Sequence, residues 1–229
     1  MSDEVRVPRE VTTTEPQSPS RLPGSIRLAV LPGPLLLACG GGAAAPDGGG
    51  TGDGPPPVVW SAPMGMCEIQ TATMPLLAGQ HVPECSALPP GTNPRTSGAH
   101  YPVWPVFRVY DKAVPWGYLL HGLEHGAVVI AYNCPQSCLL ALDLAKKVID
   151  GATPKAGCIP PTPPVILTPD PTIEPGFEFV AAAWGQGLRA KCFDSAAFAE
   201  FIAANANHGP EFFPSDCGTV DKEATGWCP

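Results

Sequence analysis

Positive charge is scarce in this chain. Lys and Arg number 13 against 21 Asp and Glu, a formal net charge of -8, and the longest basic cluster is the pair Lys146 and Lys147. Neutralising a phosphate backbone takes a concentrated positive face, so no nucleic-acid partner is expected. Long apolar runs are missing too: the apolar stretch near the amino terminus, Leu28 to Ala38, is far too short to cross a bilayer as a helix. No G-x-S-x-G elbow presents a nucleophile, no glycine-rich loop opens a helix for a phosphate, and no internal repeat stands out. No enzyme class is legible, and a non-catalytic role is the expectation.

What is present points first to an address. Arg21 and Arg27 precede LAVLPGPLLLACGGG, an apolar run suited to the core of a signal peptide and ending Leu36, Leu37, Ala38, Cys39, Gly40. That ending resembles a bacterial lipobox, whose cysteine becomes lipidated and is the first mature residue. Residues 1–38 therefore read as a signal peptide. Residues 39–57 read as the lipidated Cys39 followed by a Gly/Pro-rich tether too poor in apolar side chains to pack. The folded domain is expected over 58–229, in the cell envelope, extracytoplasmic and held to a membrane by lipid.

Cysteine usage fits that compartment. Setting Cys39 aside leaves Cys67, Cys85, Cys134, Cys138, Cys158, Cys192, Cys217 and Cys228, an even number compatible with four disulfides. Eight cysteines allow about a hundred pairings, so connectivity stays open, with Cys158 a nearby partner for Cys138.

With 44% hydrophobic residues the chain can bury one core, while 31 Pro and 25 Gly make it loop-rich. Val58 to Gly98 shows no sustained period and reads as ordered loop. Val103 to Tyr110, aromatic and β-branched around a proline, reads as an edge or broken strand. Ala127 to Tyr132 is a continuous apolar run typical of a buried central strand. Cys138 to Asp150 carries Leu139, Leu142, Ala145 and Ile149 at helical spacing. Val165 to Thr168 and Phe177 to Trp184 read as further strands, the latter followed by a GQG turn. The segment DSAAFAEFIAANAN reads as a second helix, with Asp194 or Ser195 as its N-cap. The expected fold is α+β, a small sheet with helices packed on one side, loop-rich and disulfide-stapled.

The chemistry concentrates in HGLEHG, His121 to Gly126, which holds two of only five histidines. On a strand His121 and His125 would lie roughly 13 Å apart, too far to share an ion. On a helical turn or tight loop they would be roughly 6 Å apart, which suits two imidazoles on one metal. Gly122 and Gly126 favour a compact turn entering the strand. His100 follows a flexible glycine in SGAHY, and His81 lies in the irregular region before it, so loops can bring both over the sheet. The candidate metal ligands are His81, His100, His121 and His125, and imidazole favours copper or zinc. The bland reading is that these histidines hydrogen-bond loop carbonyls and hold a proline-rich segment in place.

Taken in order, SGAHY, HGLEHGAVVIAY, AAAWGQGL and GPEFF (Gly209 to Phe213) resemble the DUF3105 family, a bacterial family of uncharacterised function often attached to a membrane by an amino-terminal segment. The resemblance runs from about His81 to Phe213. It singles out His100, His121, Glu124, His125, Trp184 and Glu211, with Glu124 and Glu211 placed to orient the ligands. Ala99 stands where a proline is usual and Gln186 where a basic residue is common. The resemblance names no reaction.

A rival reading uses YNCPQSC. A strand ending in C-x-x-x-C at a helix start resembles copper chaperones of the thioredoxin-like superfamily, with Cys134 and Cys138 as thiolate ligands. A purely structural or interaction domain is the remaining alternative.

Overall fold

The computed structural model describes residues 54–134, 138–223 and 225–228. The elements in chain order are β1 (Gln70–Thr73), α1 (Trp116–Glu124), β2 (Val128–Tyr132), α2 (Leu139–Asp150), β3 (Val165–Pro169), β4 (Phe179–Ala183), β5 (Gln186–Ala190) and α3 (Ser195–Asn205). The segment expected to be a signal peptide and Cys39 lie outside the described residues, as does all of the expected tether before Gly54.

The strands form one sheet in the order β1-β5-β4-β2-β3. β2 and β3 run parallel, so their connection must cross over, and α2 supplies that crossover. β4 pairs antiparallel with β2 and with β5. Ala183 lies opposite Gln186, which leaves Trp184 and Gly185 as a two-residue turn, and Gly185 takes the positive φ of 71° that such a turn requires.

Alternation along the strands sorts side chains onto two faces. On one, Val128, Ile130, Val165, Leu167, Phe179, Ala181 and Leu188 pack with Ala145 and Ile149 of α2 and Phe198, Phe201 and Ile202 of α3. Both helices expected from the sequence therefore share a side. Asp194 caps α3 by accepting from the backbone N–H groups of Ala196 and Ala197. On the other face, Val129, Ala131, Ile166, Val180 and Ala182 meet Tyr118, Leu119, Leu120 and Leu123 of α1, together with Phe107 and Tyr110 from the preceding loop. Each large side chain so buried contributes roughly 1.5–3 kcal/mol.

Several sequence expectations need correction. HGLEHG is not a compact turn: His121 to Glu124 complete α1, whose residues are buried on every side from Gly117 onward. A nine-residue helix buried on every side has no solvated face and so shows no 3.6-residue stripe, which is why the pattern hid it. Val103 to Tyr110 forms no strand and makes only isolated pairings, Pro105 with Val220 and Val109 with Leu167, because Pro105 has no N–H to offer. GQG is not the turn; Gln186 and Gly187 already belong to β5. The region 58–98 contains β1, whose QTAT buries only Ala72 and is too short and polar to show a period.

The eight cysteines pair as Cys67–Cys192, Cys85–Cys228, Cys134–Cys138 and Cys158–Cys217. Cys158 thus joins Cys217 and not Cys138. Three of the cross-links span 125, 143 and 59 residues and tie irregular segments to the domain, whereas Cys134–Cys138 spans four. Such a set belongs to an oxidising environment and is consistent with an extracytoplasmic location. Among the described residues no helix is long and apolar enough to cross a membrane.

Candidate metal centre

The last turn of α1 places His121 and Glu124, three residues apart, on one side of the helix end, and His125 follows as its C-cap. The helix stops because Gly126 turns to φ 85°, a conformation that favours glycine. A separate backbone pairing brings in the other two histidines. His81 and His100 form a parallel bridge in which the N–H of His100 donates to Gln80 O and that of Val82 donates to His100 O. The rings of His81, His100 and His121 then make a triangle with centroids 4.8, 4.9 and 5.0 Å apart. His81, His100, His121 and Glu124 each offer a ligand atom, all within 4.8 Å of one another; His81 is exposed and the other three are buried.

Hydrogen bonds fix which nitrogens face inward. His121 Nδ1 lies 2.6 Å from the carbonyl of Tyr101, and His100 Nδ1 lies 2.8 Å from that of Gly98. A carbonyl only accepts, so both Nδ1 atoms carry a proton, and in the neutral ring Nε2 is the nitrogen left to present a lone pair. His100 Nε2 sits 2.9 Å from Glu124 Oε2, close enough for an ion pair, yet it has no hydrogen-bond partner among the described residues. The two groups are close in distance but out of line for a hydrogen bond, so the contact satisfies neither fully. Burial holds His121 neutral and lowers its pKa to about 3, an effect opposed by the Tyr101 carbonyl and reinforced by His100, His125 and His81.

His125 belongs to a neighbouring group. Its Nε2 is 3.0 Å from His121 Nε2, its Nδ1 is 2.6 Å from Asp216 Oδ2, and its ring stacks on Trp104 at 4.3 Å and 9°. With Glu124 and Glu211 it forms a second set of converging ligand atoms within 4.8 Å. The structure therefore joins His81, His100 and His121 with Glu124, whereas the sequence reading grouped the histidines with His125 and left Glu124 to orient them. Glu211 is exposed and reaches the site because its N–H donates to Glu124 O. Gly209 touches the same helix end: a Cβ there would stand 2.1 Å from Glu124 O and 2.3 Å from Gly126 N.

Asp216, Trp104 and Lys155 escaped the sequence reading. Lys155 is 2% exposed and donates from Nζ to the carbonyl of His125, with burial lowering its pKa. Asp216 adjoins Cys217, so the Cys158–Cys217 cross-link holds it in place, and that adjacency was its one visible signal. Trp184, from the family motif, packs edge-on to His100 with centroids 6.3 Å apart. Gln186 faces Thr73 across the β1–β5 pair. His208 is exposed and caps the end of α3 through the carbonyl of Ala204. Cys134 and Cys138 are joined to each other and pack on the face covered by α2 and α3, whereas α1 with its histidines covers the opposite face.

The sequence model of the family described as "Protein of unknown function (DUF3105)" matches residues 81–216, more than half of the chain. Comparison with curated proteins and with solved structures finds no significant match to either.

Proposed function

Because the chain belongs to the DUF3105 family, whose description carries no chemistry, we propose a function from the site itself: a lipid-anchored, extracytoplasmic domain that binds a transition-metal ion through His81, His100, His121 and Glu124. One observation carries the reading. Two buried imidazoles have committed Nδ1 to carbonyls and turn Nε2 toward a third imidazole and a carboxylate, so in the neutral rings electron pairs converge on one point. A cation is the partner such a set lacks, and a ring held through its far nitrogen is the usual outer support of a metal ligand.

The donor set fits the ion proposed. Bonds of roughly 2.0–2.2 Å in a tetrahedral set put ligand atoms about 3.3–3.6 Å apart, so ligands that now lie within 4.8 Å of one another close by up to about an ångström on binding. Three imidazoles favour Zn(II) or Cu(II) over Mg(II) or Ca(II). Elemental analysis of the untagged, oxidised full chain after exposure to each ion and exhaustive dialysis tests the reading. A stoichiometric ion supports it, and a metal-free wild type refutes it.

The envelope address rests on Cys39, the one cysteine of nine that the four cross-links leave over. Membrane fractionation of Cys39→Ala tests it: release from the membrane is expected, and unchanged partitioning together with an unmodified Cys39 in the wild type overturns it.

A further inference from the structure

We infer that the centre holds two ions, with the Glu124 carboxylate shared between the proposed site and a second one completed by His125 and Glu211. The inference rests on the metal-binding reading above.

Its basis lies in residues beside the histidine triangle. Glu124 is common to two ligand groups, and a carboxylate has an oxygen for each. His125 is prepared as a ligand would be. Asp216 accepts from its Nδ1 at 2.6 Å, Trp104 clamps the ring plane, and Nε2 is turned toward the centre at 3.0 Å from His121 Nε2. With Nδ1 of each engaged by Asp216 and by the Tyr101 carbonyl, the two nitrogens of the neutral rings face each other by their lone pairs. Ligation of each to its own ion turns that opposition into a contact between neighbouring ligands. Carboxylate-bridged ions in two-metal sites stand about 3.5–4 Å apart.

Glu211 adds a third ligand for a reason that packing does not supply, since its side chain is exposed. Its backbone is nevertheless pinned to the end of α1 by the N–H bond to Glu124 O and by the close approach that only a glycine at 209 permits. Among the described residues no lysine or arginine pairs with the carboxylate of Glu124 or Glu211. Two carboxylates and one imidazole are a harder set than the histidine triangle, suited to Zn(II) and tolerant of Mn(II).

Titrating Zn(II) into the metal-free, oxidised full chain, with bound zinc counted by calorimetry and by elemental analysis, tests the second site. Two ions are expected in the wild type. Glu211→Gln, an exposed and nearly isosteric change, should bind one zinc tightly and the other more than tenfold more weakly, and His125→Ala should bind one. Two further outcomes separate the claims. A wild type holding one zinc, with Glu211→Gln indistinguishable from it, overturns the second site and leaves the first standing, the gap between the two Nε2 atoms then being filled by a proton. A wild type holding none overturns the metal reading itself.

Discussion

His121 Nε2 lies 3.0 Å from His125 Nε2, although each ring has already given its Nδ1 proton, to the carbonyl of Tyr101 and to Asp216 respectively. A helix end sets residues four apart roughly 6 Å from one another, and the Tyr101 carbonyl and Asp216 aim the two rings so that their Nε2 atoms meet. Burial of the pair ties the stability of the metal-free protein to its protonation.

The first consequence is pH dependence of the metal-free protein. Burial lowers the His121 pKa to about 3, whereas in the unfolded chain an imidazole titrates near 6.5. The stability tied to neutral His121 is therefore complete above pH ~6.5. It is lost as the pH falls from there toward 3, because the unfolded state takes up the proton first, at a slope of at most about 1.4 kcal/mol per pH unit. Denaturant unfolding of metal-free wild type between pH 7 and 4 should show this slope, and His121→Gln should flatten it. Equal slopes would mean that His121 is already protonated in the fold.

Gly209→Ala is expected to disturb the centre from outside it. The added methyl would stand 2.1 Å from Glu124 O, so the segment carrying Glu211 must move off the end of α1. Overpacking of this kind costs about 1–3 kcal/mol. Thermal melting should register the loss, and zinc affinity should fall with it. An unchanged melting temperature would show that this backbone contact is not a tight one.

The fold was legible where burial imposed a clean period. Ala127 to Tyr132, Val165 to Thr168 and the two helices on one face announced themselves through apolar runs or a stripe. α1 did not, since a short helix buried all round has no stripe, and β1 did not, since a four-residue edge strand with three polar side chains is too short to display a period. The site was half legible. His81, His100 and His121 converge, but the exchange of Glu124 for His125 depended on where the helix ends. Spacing in sequence cannot say whether a residue is the last of a helix or its cap. Asp216 and Trp104 arrive from segments 91 and 21 residues away from His125 in sequence, through a cross-link and a loop that carry no local pattern.

The cross-links should contribute unequally. By chain entropy, closing a loop of 125 residues at Cys67–Cys192 is worth about 5 kcal/mol, and closing the four-residue step at Cys134–Cys138 about 2 kcal/mol. Unfolding of the paired Cys→Ser variants in denaturant should reproduce that order. A Cys134→Ser/Cys138→Ser protein less stable than its Cys67→Ser/Cys192→Ser counterpart would give the short bridge a role beyond cross-linking.

The central claim is that the histidine triangle and Glu124 hold an ion, and ligand deletion tests it most directly. Metal-free wild type and His100→Ala are loaded with Zn(II) under identical conditions, dialysed, and assayed for zinc and for melting temperature. The account predicts that the wild type retains zinc and melts higher when loaded, because only the folded state binds the ion. It predicts that His100→Ala neither retains the ion of the triangle nor gains stability from it. A wild type whose zinc content and melting temperature are unmoved by loading, with His100→Ala merely less stable than the wild type, would contradict the account and leave these histidines as props for a proline-rich loop.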